Sequence, residues 1–144
     1  MSWWDYGHRF ITGIIITQAP TRVIVELGDL EPKRHMCFIG DGVEGHLHVA
    51  MEGNAGEQYV YGHGENVSMQ EWADLILAIG ADRGYWELPE IVQDPDRFRP
   101  GDSEVMELLV GFEKLKEQTG WEPRTTWEQG IGQTIDWYEQ HGRE

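Results

Sequence analysis

Three arginines, Arg34, Arg97 and Arg99, are of a type and placement that could hold an anion. They belong to a set of only 11 Lys and Arg in a chain of 144 residues with 26 Asp and Glu, a formal net charge of −15 at pH 7. A guanidinium presents a planar fork of N–H donors that matches a diphosphate bidentately, which a lysine does less well. The same three cations would serve equally as counter-ions to Asp94, Asp96 and Asp102, and composition leaves both uses open.

Other chemistry-bearing groups are less persuasive. Gly40-Asp41-Gly42-Val43-Glu44-Gly45 matches the G-x-G-x-x-G pattern of a dinucleotide phosphate loop. Asp41 and Glu44, however, would set negative charge beside an anionic ligand, and the short strand before them does not open a βαβ unit. The glycines are read instead as serving a tight strand-to-helix turn. Six histidines invite a metal hypothesis, but His46 and His48 would point about 200° apart on a helix, and no H-E-x-x-H pair exists. No metal site is expected. Cys37, the single cysteine, lies mid-strand between Met36 and Phe38, where a small buried hydrophobe is the default; a nucleophile would want a helix N-terminus or cationic surroundings, so no catalytic role is expected.

These groups must be positioned by one domain, residues 1–144, whose length suits one core and not two. The acidic balance argues against a nucleic-acid-binding face. No apolar run approaches a membrane span, the longest being Ile14-Ile15-Ile16, and no secretory leader is signalled, so a cytoplasmic protein is expected. Residues 7–18 read as a short helix stopped by Pro20, and residues 22–27 and 35–39 as strands. Asp41 is expected to cap a helix to about Glu52 with Val43, Leu47 and Ala50 on one stripe, and Gln58–Tyr61 to form a third strand. Ser68 with Glu71 forms a capping box, flanked by Val67 and Trp72 as a hydrophobic staple. Met69, Trp72, Ile76 and Ile79 then line one helical face, with Gly80 as a left-handed stop. Residues 81–102 read as loop, and a short helix at 112–119 ends at Gly120. A last amphipathic helix starts after Thr125 or Thr126, each three residues before Glu128 or Gln129, and carries Trp127, Ile131, Ile135 and Tyr138 on one face. The class is therefore mixed α and β, a small sheet of about three short strands with four to five helices.

Read as a string, residues 26–137 resemble the C-terminal half of the NAD-dependent epimerase/dehydratase family, the extended short-chain dehydrogenases acting on nucleotide sugars. Leu27-Gly28 through Lys33-Arg34 resembles that family's "lG…pxR-D" entry to a strand, with Asp41 at a later family aspartate. Gly56-Glu57, Gly62-His63-Gly64 and Val67-Ser68 resemble its "GE-x-Y-N-x-G-x-G…[IV]-S" block. Arg97-Phe98-Arg99-Pro100 to Ser103-Glu104-Val105 resembles "R-x-RP…SEV", most like the sugar-nucleotide 4,6-dehydratase branch. Lys114-Leu115-Lys116, Gly120-Trp121-Glu122-Pro123 and Thr134-Ile135-Asp136-Trp137 resemble "K-x-K…GW-x-P…tI-x-W".

The resemblance implies a substrate domain in which Arg34 and Arg99 contact a nucleotide diphosphate and Asp102 helps to hold the nucleotide. It also marks departures: His35 stands at the family's Asp, Val60 at its Asn, and Gly111 where an Asp commonly precedes the Lys block. None of Tyr6, Tyr59, Tyr61, Tyr85 and Tyr138 is followed four residues later by Lys, so the family's Tyr-x-x-x-Lys acid/base pair has no counterpart. The chain begins with Met1 and reads as about half of such an enzyme. The expectation is a stand-alone nucleotide-sugar-binding domain with no catalytic residue and no cofactor of its own. The alternatives are a half-enzyme served by a separate Rossmann-type subunit, and a self-associating interaction protein in which Trp3 and Trp4 cover the former domain seam.

Overall fold

The structure, a computed structural model, describes residues 24–99 and 104–141. The expected helix at 7–18, the Trp3–Trp4 seam and Asp102 lie outside the described residues.

Strand β1 (Ile24–Leu27) pairs in parallel with β4 (Glu90–Gln93), in register from Ile24 opposite Glu90 to Leu27 opposite Gln93. Its residues alternate, with Val25 and Leu27 buried and Ile24 and Glu26 exposed, the period of two that one buried face imposes. Strand β2 (Lys33–Arg34) pairs antiparallel with β3 (Val67–Ser68). The expected small sheet is thus two two-stranded ribbons among the described residues. Four α-helices accompany them among the described residues: α1 (Ile39–Glu52), α2 (Met69–Asp82), α3 (Glu113–Thr119) and α4 (Trp127–His141).

Helix α2 begins as the sequence indicates. Ser68 Oγ accepts from the Glu71 amide at 3.1 Å, and the Glu71 carboxylate accepts from the Ser68 amide at 2.9 Å, so two orphan N–H groups are satisfied reciprocally. Helix α4 repeats the device with Thr126 and Gln129. Gly120, at φ 75°, ends α3 in the left-handed conformation. Ala73, Ile76 and Leu77 of α2 meet Ile131 and Ile135 of α4 over Val25, Leu27 and Leu30, and this is the core.

Four expectations are corrected. Residues 35–39 are not a strand: the Met36 carbonyl accepts from the Trp127 indole at 3.2 Å instead of a neighbouring strand, and α1 already starts at Ile39. Gln58–Tyr61 is not a strand either, since the Gln58 carbonyl accepts from Lys114 Nζ at 2.7 Å. Residues 90–93, read as loop, form β4, because the exposed edge of β1 offers ladder partners that the sequence does not reveal. Gly80 is interior to α2, where a Cβ would fall 1.7 Å from the Trp86 ring; the left-handed glycine that follows this helix is Gly84, at φ 75°.

Candidate functional site

The short pairing of β2 with β3 sets Arg34 at the end of a strand, and a second segment docks against it. The Lys33 amide donates to the Met106 carbonyl at 2.7 Å, and the Leu108 amide donates to the Lys33 carbonyl at 3.3 Å. Residues 104–108 therefore run beside β2, and they carry Glu104 to Arg34 across a separation of 70 residues.

Arg34 is held from several sides. Its Nη1 donates to the Val105 carbonyl at 2.5 Å and to the Lys33 carbonyl at 2.8 Å, while Nη2 donates to Glu104 Oε1. The other oxygen of the same carboxylate, Oε2, lies 3.3 Å from Arg99 Nε. The side chains of Arg34 and Glu104 are only 13% and 15% exposed, that of Arg99 35%. The two arginines singled out from the sequence thus converge on one half-dry carboxylate. Arg97 does not join them: its Nε donates to Asp94 at 3.0 Å and its Nη2 to Glu26 at 3.3 Å, with the side chain 55% exposed. It is the surface counter-ion that composition allowed it to be.

Glu104 escaped the reading of single residues. Its signal was present, as the acid of the Ser103-Glu104-Val105 block, but the nearer Asp94, Asp96 and Asp102 offered easier sequence partners for the arginines.

The glycine pattern at 40–45 does not form a dinucleotide loop. Gly40, Gly42 and Gly45 lie inside α1; Gly40 and Gly45 face packed aromatic rings, and Gly42 faces open space. A Cβ on Gly45 would fall 2.8 Å from the Tyr61 ring, and one on Gly40 2.9 Å from the Phe38 ring. Asp41 neither caps the helix nor faces an anion. It is 5% exposed, and its two oxygens accept from the Thr125 amide and hydroxyl, both at 3.0 Å. The described residues therefore do not fit the pyrophosphate of a nicotinamide dinucleotide at this pattern, and the glycines correct the expected tight turn as well.

Cys37 is half-buried, and burial, seconded by the charge of Asp41, pushes its thiol up to about 11. A thiol so poised stays protonated and is a poor nucleophile. His35 packs against Gly62, where a Cβ would fall 1.3 Å from its Nε2. Burial, and then the proximity of His63, hold its pKa below the usual 6.5. Both effects favour the neutral form of this histidine, which directly follows Arg34 in the chain. His46 Nδ1 lies 2.8 Å from the Gly42 carbonyl within its own turn and meets the Tyr61 hydroxyl, and among the described residues no cluster of three or more His, Cys, Asp or Glu could hold a metal.

The profile of the GDP-mannose 4,6 dehydratase family matches residues 6–134. The chain belongs to that family. The match bears out the kinship with NAD-dependent epimerases and dehydratases drawn from the sequence blocks. Against dTDP-glucose 4,6-dehydratase of Xanthomonas campestris pv. campestris it is 33% identical over 116 residues, covering 77% of this chain and 32% of that protein. With GDP-6-deoxy-D-mannose reductase of Pseudomonas aeruginosa it shares 30% identity over 120 residues, covering 83% of this chain and 37% of the other. The fold superposes on the structure of RMD from Pseudomonas aeruginosa complexed with NADPH with a TM-score of 0.73, at 24% identity, over 94% of this chain and 42% of that one. The chain spans about a third of the length of these curated family relatives. No helix among the described residues is long and apolar enough to cross a membrane.

Proposed function

We propose that this chain supplies the C-terminal, nucleotide-sugar-binding portion of a sugar-nucleotide dehydratase or epimerase, with Arg34 and Arg99 holding the diphosphate. The observation that carries the reading is the convergence of these two guanidiniums, from distant parts of an acidic chain, on one shared carboxylate. Two adjacent guanidiniums can each engage one phosphate of a diphosphate, and a half-dry setting strengthens such pairing. Asp102 is the proposed further contact to the nucleotide. The role is binding rather than chemistry, because the 144 residues hold no Tyr-x-x-x-Lys pair to move a proton during hydride transfer.

The test is a heteronuclear NMR titration of this 16.6 kDa chain with GDP-mannose, dTDP-glucose and UDP-glucose. Shifts centred on Arg34 and Arg99, and lost in Arg99→Ala and Arg34→Lys, are the expected result. Silence across the panel at millimolar ligand would end the reading.

A second reading rests on α1. Ile39, Val43, Leu47 and Met51 repeat every four residues and are 52–70% exposed, an apolar stripe on a helix of 14 residues. That stripe suits a cofactor-binding partner chain or a second copy of this one. Light scattering at tens of micromolar, alone and with a candidate partner, separates the two; a monomer unchanged by either would remove this reading.

A further inference from the structure

Glu104 is more than a bystander at the arginine pair. Its carboxylate divides its two oxygens between Arg34 and Arg99, so that one negative charge is shared by two positive ones. Arg34 does not depend on Glu104 for its place, because two backbone carbonyls, those of Lys33 and Val105, already fix its Nη1. What Glu104 supplies is charge, on the remaining Nη2.

We infer that Glu104 is an internal competitor that sets which anions the site accepts. The inference rests on the diphosphate reading given above. A ligand with one anionic group that displaces the carboxylate replaces one shared charge with another and gains little. A ligand with two linked anionic groups gives each guanidinium its own partner, and the gain is largest where both arginines are shielded from water. Glu104 therefore selects for two-pronged anions by making single-pronged ones unprofitable. Removing its charge takes away the carboxylate that the two neighbouring guanidiniums share, which destabilises the free protein and tightens every anion. Loss of a stabilising contact alone could not raise affinity.

The experiment uses inorganic pyrophosphate, with two phosphate groups, and sulfate, with one, so that no choice of nucleoside enters. Binding to wild type, Glu104→Gln and Arg99→Ala is measured by NMR titration, with melting temperature followed in parallel. Glu104→Gln is expected to bind pyrophosphate about tenfold tighter and to show a smaller preference for pyrophosphate over sulfate. Its melting temperature falls without ligand and rises further than wild type's when pyrophosphate is added. Glu104→Asp, which keeps the charge on a stem too short to span both arginines, is expected to shift the same way by less, and gives a reading should the glutamine variant not fold. Equal or weaker pyrophosphate binding in both variants, with wild-type binding lost in Arg99→Ala, overturns the competitor and leaves the diphosphate site standing. Absence of pyrophosphate binding in wild type and Glu104→Gln alike overturns the site itself.

Discussion

Helices α1 and α2 each have 14 residues, yet they are attached to the domain by different physics. Helix α2 buries Met69, Ala73, Ile76, Leu77 and Gly80 and starts at a complete capping box. Helix α1 buries only Asp41 and Gly45, has no side-chain cap, and turns its apolar stripe outward. It is held instead by a close approach and by polar ties. Gly45 lets the Tyr61 ring sit against the helix, Asp41 binds Thr125 at the entry to α4, and Gln118 donates to the Glu52 carbonyl at 2.8 Å at the far end. Burial of apolar area is forgiving of small shifts, whereas a tether of named donors and acceptors is not. The more specific attachment belongs to the helix whose outer face is still unpartnered.

This contrast can be broken at either end. Ile76→Ala, in the fully buried centre of α2, should cost about 3–4 kcal/mol through lost transfer energy and the cavity left behind, read from chemical denaturation. Asp41→Ala should cost about 2 kcal/mol, because it strands the Thr125 amide and hydroxyl in a half-buried position. Its hydrogen-exchange signature should be faster amides in α1 with α2 little changed; equal acceleration in both helices would contradict the separate attachment. Ser68→Ala should cost about 1 kcal/mol and fray only the first turn of α2.

The smallest effect sharpens the electrostatic side. Because His35 has its folded pKa held below the usual 6.5, the folded state resists the proton that the unfolded chain accepts. Its contribution to stability is complete above pH 6.5 and drains away as the pH falls below that value toward the folded pKa. His35→Gln should flatten the stability profile between about pH 6.5 and 5, a window set by the ordinary histidine range. An unaltered profile would show that another group carries the dependence.

The parts of the fold that were legible from sequence share a local cause. The capping box at Ser68, the Thr126–Gln129 start of α4, the Gly120 stop and the apolar faces of α2 and α4 are each written within a few residues. What was misread depends on distant partners. Residues 35–39 have strand composition, but a tryptophan from α4 takes their carbonyl; residues 90–93 look like loop until β1 lies beside them. Gly80 carried a helix-stop signal, but its missing side chain makes room for Trp86 instead. At the candidate site, Arg34 and Arg99 were visible as scarce cations, whereas Glu104, though written into the Ser103-Glu104-Val105 block, is joined to them only by the docking of residues 104–108 on β2.

The parallel pairing of β1 with β4 has a consequence for the order of folding. All of β2, α1, β3 and α2 lies between the two strands, so their ladder closes a long loop before its hydrogen bonds return anything. Local structure has no such delay, and α2, with its own cap and apolar face, can form and dock first. Rates should follow: substitutions at Ile91 in β4 should mainly speed unfolding, while those at Ile76 should also slow folding. The ribbon that looks like the foundation of the domain is thus its closing seam.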